Sequence, residues 1–491
     1  MSSLQKWEGP DPAFWCANNY AIINVDMRGA YTSAGNLHLL GYQEAKDGAE
    51  FVEWVAAQPW CTGRVGMSGN SYLAASQWKI ASLRPKGLAG IAPWEGMMDV
   101  YKDVICAGGI PDTGPFSLIA SAFAGQAKVE DLATALKRPG KEGLYDEYWE
   151  DKRSAVERIS CPVYCVASWT SIFHTSGTLR AFRLLPSGTP RWLRVHNTQE
   201  WPDYYSHRNV LDLKRFFDWC LKDLQTSWSA TPTIRLSILN FGIGGEEDTI
   251  ERAESEFPLA RTRYTKYFLA ANKTLSLDPP ADPSELTYNA KTAFLSFEYT
   301  IPHALELTGY PRAHLFVSCT PPRRHPKEEP MELEIDIFTQ IELLTPARWR
   351  TGTLVIRPKS GPAHTLLKLM HDWQIGMSQF GLLYHFGPEG GLRASFAHER
   401  SEESTAFEPV YAFRTRRMMR AGEVRELIVP MRAYAMYWGR GDVLRFTVSG
   451  KPVVPFGLPR CEGPRIENVG VHLLHVGGKG EESSCLVLPV V

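Results

Sequence analysis

Up to about residue 225, short apolar runs alternate with stretches of helical period. "YAIINVDMRG" from Tyr20, "GRVGM" from Gly63, "LAGIAPW" from Leu88, "CPVYCVASW" from Cys161 and "RWLRVH" from Arg191 read as strands. "YQEAKDGAEFVEWVAAQ" from Tyr42, "YLAASQWKIASL" from Tyr72, "LRAFRLL" from Leu179 and "VLDLKRFFDWCL" from Val210 read as helices. This alternation predicts a parallel sheet with helices on both faces. Between Tyr101 and Ile159 it stops, and "VEDLATALKR" and "EYWEDKRSAVERI" predict a helical insertion that caps the carboxyl ends of the strands, where such sheets bind ligands. After Trp228 the runs become β-branched and aromatic between Pro and Gly turns, from "TIRLSILNF" to "SCLVLPVV", which predicts an all-β sandwich. The expected organisation is an α/β core in two parts (1–100 and 159–225), a helical cap insertion (101–158) and an all-β domain (226–491).

Composition narrows the partners. The 491 residues are enough for two or three domains, and 53 basic against 54 acidic side chains leave no field to hold nucleic acid or an anionic membrane. A small-molecule substrate is the expected partner, and a homodimer is left open. No stretch is long and apolar enough to span a bilayer, no secretory signal pattern is present, and nine scattered cysteines without a CxxC pair read as reduced thiols, so the expectation is cytoplasmic.

The candidate chemistry centres on "GRVGMSGNSYLAASQW", Gly63 to Trp78, where Ser68 and Ser71 each have a glycine two places before them. A nucleophile elbow needs a strand that turns sharply into a helix. Ser68 still belongs to the strand, whereas Ser71 stands where the helical pattern begins at Tyr72, whose amide would then lie at a helix amino terminus facing a developing oxyanion. Ser71 is the candidate nucleophile; the alternative is a serine that only caps the helix.

These segments resemble the cocaine-esterase and X-Pro dipeptidyl-peptidase branch of the α/β-hydrolases. The likeness rests on "VDMRGAYTSAG", the elbow stretch, "IAPWEG", "RFFDWCLKD" and the terminal "AGEVRELIVPM…GDVLRFTVSG…NVGVHLLHVGG…LVLPVV". The resemblance implies a capped α/β-hydrolase core followed by a carboxyl-terminal jelly roll, and a serine hydrolase acting on an ester or amide through an acyl-serine. The family's GxSYxG falls on Gly69 to Ala74, again placing the nucleophile at Ser71, with Ala in the last small position. The family's acid position, in "ASWTSIF", holds Ser171, and its histidine position, in "LRVHNTQEW", holds Glu200 or Gln199. The triad is therefore degenerate. No residue matches the family's oxyanion tyrosine, and the strand that normally lies between "YAIINVD" and "GRVGM" has no counterpart, so either another segment fills its place or the polypeptide is a shortened version of a longer gene product.

Two histidines of thirteen fall in loops at the strand ends of the core: His174 in "SIFHTSGT" and His196 in "RVHNTQEW". Either is a candidate base for Ser71. Glu95 or Asp99 in "APWEGMMDVY" could supply the acid, and Glu200 could act as a base if burial raised its pKa. Asp26 and Arg28 read as a structural ion pair. The expected pocket is lined by Ser71, Tyr72, Trp94, Glu95, Trp169, Ser171 and His174, with His196 and Glu200 at its edge. No cofactor and no metal site is expected, because no HxxxH, Cys/His cluster or phosphate loop occurs. The substitutions leave two alternatives to hydrolysis: a biosynthetic enzyme catalysing acyl transfer, cyclisation or isomerisation, and a binding or scaffold protein that has lost catalysis.

Overall fold

In the computed structural model the described residues are 2–4, 6–114, 128–241, 248–320, 332–355, 362, 365, 384–454, 463–478 and 483–491. The central sheet has six strands in the order β1 (Val65–Asn70), β2 (Leu88–Trp94), β3 (Val163–Ser168), β4 (Arg191–His196), β5 (Ile234–Ile238) and β6 (Thr249–Glu254). β1 to β5 run parallel and β6 is antiparallel to β5. "TIRLSILNF", expected in the sandwich, thus extends the α/β sheet: its buried residues pair with β4, the neighbour that the connecting helix brings alongside.

The helices around the sheet include α1 (Pro12–Ala17), α2 (Tyr42–Ala56), α3 (Tyr72–Ser82), α4 (Leu132–Ala135), α5 (Glu147–Glu150), α6 (Thr175–Leu184), α7 (Glu200–Tyr204) and α8 (His207–Lys222). β3 is buried along its whole length, as a central strand covered on both faces must be. Its alternate residues feed two cores. Val163, Cys165 and Ala167 pack with Ala75 and Trp78 of α3 and Leu179 of α6, while Tyr164 and Val166 pack with Leu213, Phe216 and Phe217 of α8. The first core runs on without a break into the all-β part. That part holds an antiparallel four-stranded sheet (Phe294–Thr300, Val443–Ser449, Asp336–Leu344, Glu389–Arg393) and a nine-stranded one that includes Arg312–Thr320 and Cys485–Val490.

The cap expectation falls partly on residues 115–127, which lie outside the described residues. The described rest of that stretch forms short helical segments: α4, α5, a π-helical turn at Tyr101–Ile105 and 3-10 turns at Ala107–Gly109 and Val156–Arg158, with the Tyr145 amide donating to Phe413 O of the all-β part. Among the described residues no helix is long and apolar enough to cross a membrane.

The amino-terminal strand expectation is overturned. Residues 20–27 form no strand, and Ile23 and Val25 are exposed. A strand exists only through a neighbour that accepts and donates its backbone bonds, and among the described residues none lies alongside this one. β1 is consequently the edge of the sheet among the described residues; beyond its pairing with β2, the Val65 amide donates to Gly87 O at 2.8 Å, Gly69 O accepts Gln77 Nε2 at 3.3 Å and the Asn70 amide donates to Glu8 O at 3.1 Å. Arg28 pairs with Asp47 at 2.6 Å, not with Asp26. Hydrogen exchange should register the open edge: on average the amides of Gly66–Ser68 are expected to exchange faster than those of β3, and equal protection would contradict an edge position for β1.

Candidate active site

Ser71 sits between β1 and α3 with φ 54° and ψ −116°, a conformation that non-glycine residues avoid. Its amide is shared between Trp94 O (3.2 Å) and Glu95 O (3.1 Å), which straps the turn to the end of β2. Small residues make this possible. A Cβ on Gly69 would stand 2.8 Å from the Leu73 side chain, and one on Gly96 would stand 2.7 Å from Ala74 Cβ. The methyl of Ala74, in the last small position of the elbow, is therefore accommodated because the residue facing it is a glycine. Ser68 Oγ lies 2.8 Å from the Tyr204 hydroxyl of α7, so it is engaged away from the elbow.

The strand ends bring the other groups to Ser71. His174, just past β3 at the start of α6, places Nε2 3.3 Å from Ser71 Oγ. Its Nδ1 lies 3.1 Å from Ser171 Oγ, which also accepts the His174 amide at 3.3 Å. His174 is buried, and burial brings its pKa down to about 4, so the ring is neutral at neutral pH. Glu95, directly after β2, is fully buried with φ 54°. Burial, with the neighbouring charges of Glu200 and Asp203, pushes its pKa well up; the Ser171 hydroxyl lies close enough to favour the charged form. Glu200 opens α7, and burial raises it to about 7.

His196 faces away from Ser71. Its Nε2 is 2.7 Å from Glu95 Oε1 and 3.4 Å from Asp203 Oδ2, although the ring nitrogen is not aligned for a hydrogen bond to Glu95. Burial lowers it too, to about 4. Asp203 is held ionised below its usual range despite burial by Arg194, whose Nη1 donates to it at 3.1 Å.

The two tryptophans expected in the pocket are core residues. Trp94 points to the α8 face, packs edge-on to Tyr164 and Tyr204 and donates its indole N–H to Asp203 at 3.0 Å. Trp169 packs on Phe257 and donates to Ser237 O at 2.6 Å. Both occupy strand ends whose side chains turn into the cores, and their indole N–H groups find internal acceptors. The Tyr72 side chain also leaves the site, its hydroxyl donating to Glu44 Oε2 at 2.7 Å, while its amide begins α3. Asp99 caps the turn after β2, accepting the Tyr101 and Lys102 amides at 3.1 Å.

Sequence reasoning missed Glu8. Its carboxylate accepts the Trp201 indole N–H at 3.0 Å, burial raises it to about 7, and its charge acts on Glu200. No spacing or motif in "QKWEGP" announces this contact, which depends on the amino-terminal segment crossing the end of β1.

Residues 2–199 match the family described as X-Pro dipeptidyl-peptidase (S15 family), and residues 226–481 match the X-Pro dipeptidyl-peptidase C-terminal non-catalytic domain. The chain belongs to the proteins that carry the X-Pro dipeptidyl-peptidase C-terminal domain, whose model covers half of it. It is similar to the cocaine esterase of Rhodococcus sp., with 35% identity over 85 residues, 17% of this chain; the match spans only 15% of that esterase's own length. A CocE/NonD family hydrolase from Staphylococcus aureus superposes with a TM-score of 0.86 at 27% identity, over 100% of this chain and 83% of that one. An α-amino acid ester hydrolase shares the fold, with a TM-score of 0.66 at 14% identity over 94% of this chain and 84% of that one. The S15 core is thus an α/β-hydrolase fold followed by an all-β domain.

The close approach at Gly96 gives a direct test of how the elbow is packed. Gly96→Ala should lower the melting temperature, costing about 1–3 kcal/mol as overpacked sites do; calorimetry showing an unchanged transition would contradict the contact.

Proposed function

We propose that this chain is a serine hydrolase that cleaves an ester or amide of a small molecule, with Ser71 as nucleophile and His174 as general base. The observation that carries the reading is the approach of His174 Nε2 to Ser71 Oγ on a strained strand-to-helix turn. The match of residues 2–199 to the S15 family and the likeness to the staphylococcal hydrolase support it.

The hydrogen-bonding capacity of Ser171 supplies the orientation. A hydroxyl has two acceptor sites and one proton. Ser171 Oγ takes the His174 amide and Nδ1–H, which leaves its own proton to turn toward Glu95. With Nδ1 carrying the ring proton, the Nε2 lone pair faces Ser71. Ser71 Oγ attacks the carbonyl carbon as its proton passes to His174 Nε2, and the oxyanion forms in front of the Tyr72 amide. His174 then gives that proton to the leaving group, and a water repeats the steps on the acyl-serine. Ser171 occupies the family's acid position as a positioning residue, and the carboxyl that faces it belongs to β2.

Ser71→Ala is expected to lower kcat for p-nitrophenyl esters on the order of 10^4-fold or more and to abolish labelling by a fluorophosphonate. Retained turnover in that variant would remove the nucleophile assignment. Because burial keeps His174 neutral down to about 4, acid inactivation of kcat/KM should set in well below the ordinary histidine value of 6.5.

Ser171→Ala should reduce kcat roughly 10- to 100-fold, an order-of-magnitude expectation for loss of a partner that orients the base, with KM little changed. Ser171→Asp, which puts a carboxylate on Nδ1, should recover much of the loss. Equal damage from both substitutions, or an effect confined to KM, would show that Ser171 does not orient the base.

A further inference from the structure

Three potential metal ligands that the sequence scatters converge at the ends of β2, β3 and β4. One donor atom each from Glu95, His174 and Glu200 lies within 4.8 Å of the other two. Ligand atoms placed tetrahedrally at about 2.1 Å from a zinc ion stand roughly 3.4 Å apart, so modest side-chain rotations would close the set. A second observation points the same way. Glu95 is wholly buried, yet no hydrogen bond of normal geometry reaches either carboxylate oxygen. The Ser171 hydroxyl and His196 Nε2 lie near it, but a buried carboxyl so weakly partnered is costly, and a cation between it and Glu200 would relieve both its desolvation and the repulsion that Glu200 exerts on it.

We propose that Glu95, His174 and Glu200 form a binding site for one divalent transition-metal ion of the zinc type, and that this ion, when bound, switches the Ser71 centre off. The second half rests on the assignment of His174 as the base. Two carboxylates and one imidazole are a mixed oxygen and nitrogen set, which suits zinc and its neighbours better than magnesium or calcium, whose preferred ligands are all oxygen. Three protein ligands leave the fourth position to water.

The switch follows from the tautomers of imidazole. A neutral ring has one lone-pair nitrogen and one N–H. If the ion takes Nε2, the atom facing Ser71 is occupied; if it takes Nδ1, Nε2 carries the proton. In neither case can His174 accept the Ser71 proton.

The full chain, treated with a chelator that is then removed, would be titrated with Zn²⁺ by calorimetry and with Co²⁺ by visible absorption, which reports donor type and coordination number. One ion per chain is expected. Affinity should fall at least about tenfold in Glu200→Gln and His174→Asn, as loss of a ligand requires, and hold in Ser71→Ala, with circular dichroism confirming that each variant folds. Ester turnover should fall in step with occupancy and return on adding chelator. No binding, binding undiminished in both ligand variants, or full turnover at saturation would overturn the proposal. Binding is read by heat and spectrum, so a chain that binds zinc but hydrolyses nothing would remove the hydrolase reading and leave the metal site standing. Hydrolysis without zinc binding would do the reverse.

Discussion

The backbone of Ser71 is the constraint around which the site is organised. A serine at φ 54° and ψ −116° costs on the order of 1–3 kcal/mol relative to ordinary conformations, and it persists because its surroundings allow nothing else. Its amide is divided between two carbonyls at the end of β2, and α3 is pressed against Gly96 through Ala74. The adjacent Glu95 adopts a similar left-handed backbone at φ 54°. The two strained residues directly follow neighbouring strands, so the register of β1 on β2, with Asn70 opposite Trp94, sets Ser71 and Glu95 beside each other. Such placement removes orientational freedom that would otherwise oppose reaction.

His174 is fixed from the opposite direction, by the all-β part. It opens α6, and Arg180 on that helix is buried between Asp103 at 3.2 Å and Glu408 at 3.4 Å. Arg183 reaches Glu408 at 2.9 Å, while Arg153 meets Glu403 at 2.6 Å and Lys102 lies 3.6 Å from the same carboxylate. Buried ion pairs of this kind contribute little net stability, because desolvation offsets most of their attraction, but losing one partner leaves a buried charge that is strongly destabilising. Their consequence is geometric: α6 can occupy one position only when residues from both parts of the chain are in place. Gly177 shows how close the fit is, since a Cβ there would stand 2.3 Å from Asp103 Oδ2. The all-β part thereby helps to determine where His174 stands.

Periodicity revealed the parallel sheet, the helices and the all-β half because these follow from local alternation of apolar and polar residues. Ser71, His174, Ser171, Glu95 and Glu200 were legible as loop residues at strand ends, but not their pairing. Trp94 and Trp169 were misplaced for a specific reason: a bulky residue at a strand end may turn into either core or cleft, and the choice was made by distant acceptors, Asp203 and Ser237 O. "YAIINVDMRG" has the composition of a strand and is none, since strand character belongs to a pair of segments. Glu8 was invisible for a similar reason, and although the sequence put Glu95, His174 and Glu200 around one pocket, the approach of their donor atoms depends on the three-dimensional meeting of separate loops.

The degenerate motifs acquire a physical sense from that meeting. Moving the imidazole into the loop after β3 makes a carboxylate at the adjoining position redundant, because an aspartate at Ser171 would sit against a histidine already within reach of Ser71. A hydroxyl there orients the ring without adding charge. Glu200, which with Gln199 stands where the family resemblance leads one to expect a histidine, adds a second carboxyl near Glu95, and its charge joins burial in raising the Glu95 pKa. Burial leaves His174 uncharged and pushes Glu95 toward its protonated form. On the reading proposed above, positive charge beyond that of Arg194 would reach these carboxyls either transiently, as the imidazolium formed when Ser71 loses its proton, or from an ion held between them, and those two occupants would compete for the same ring.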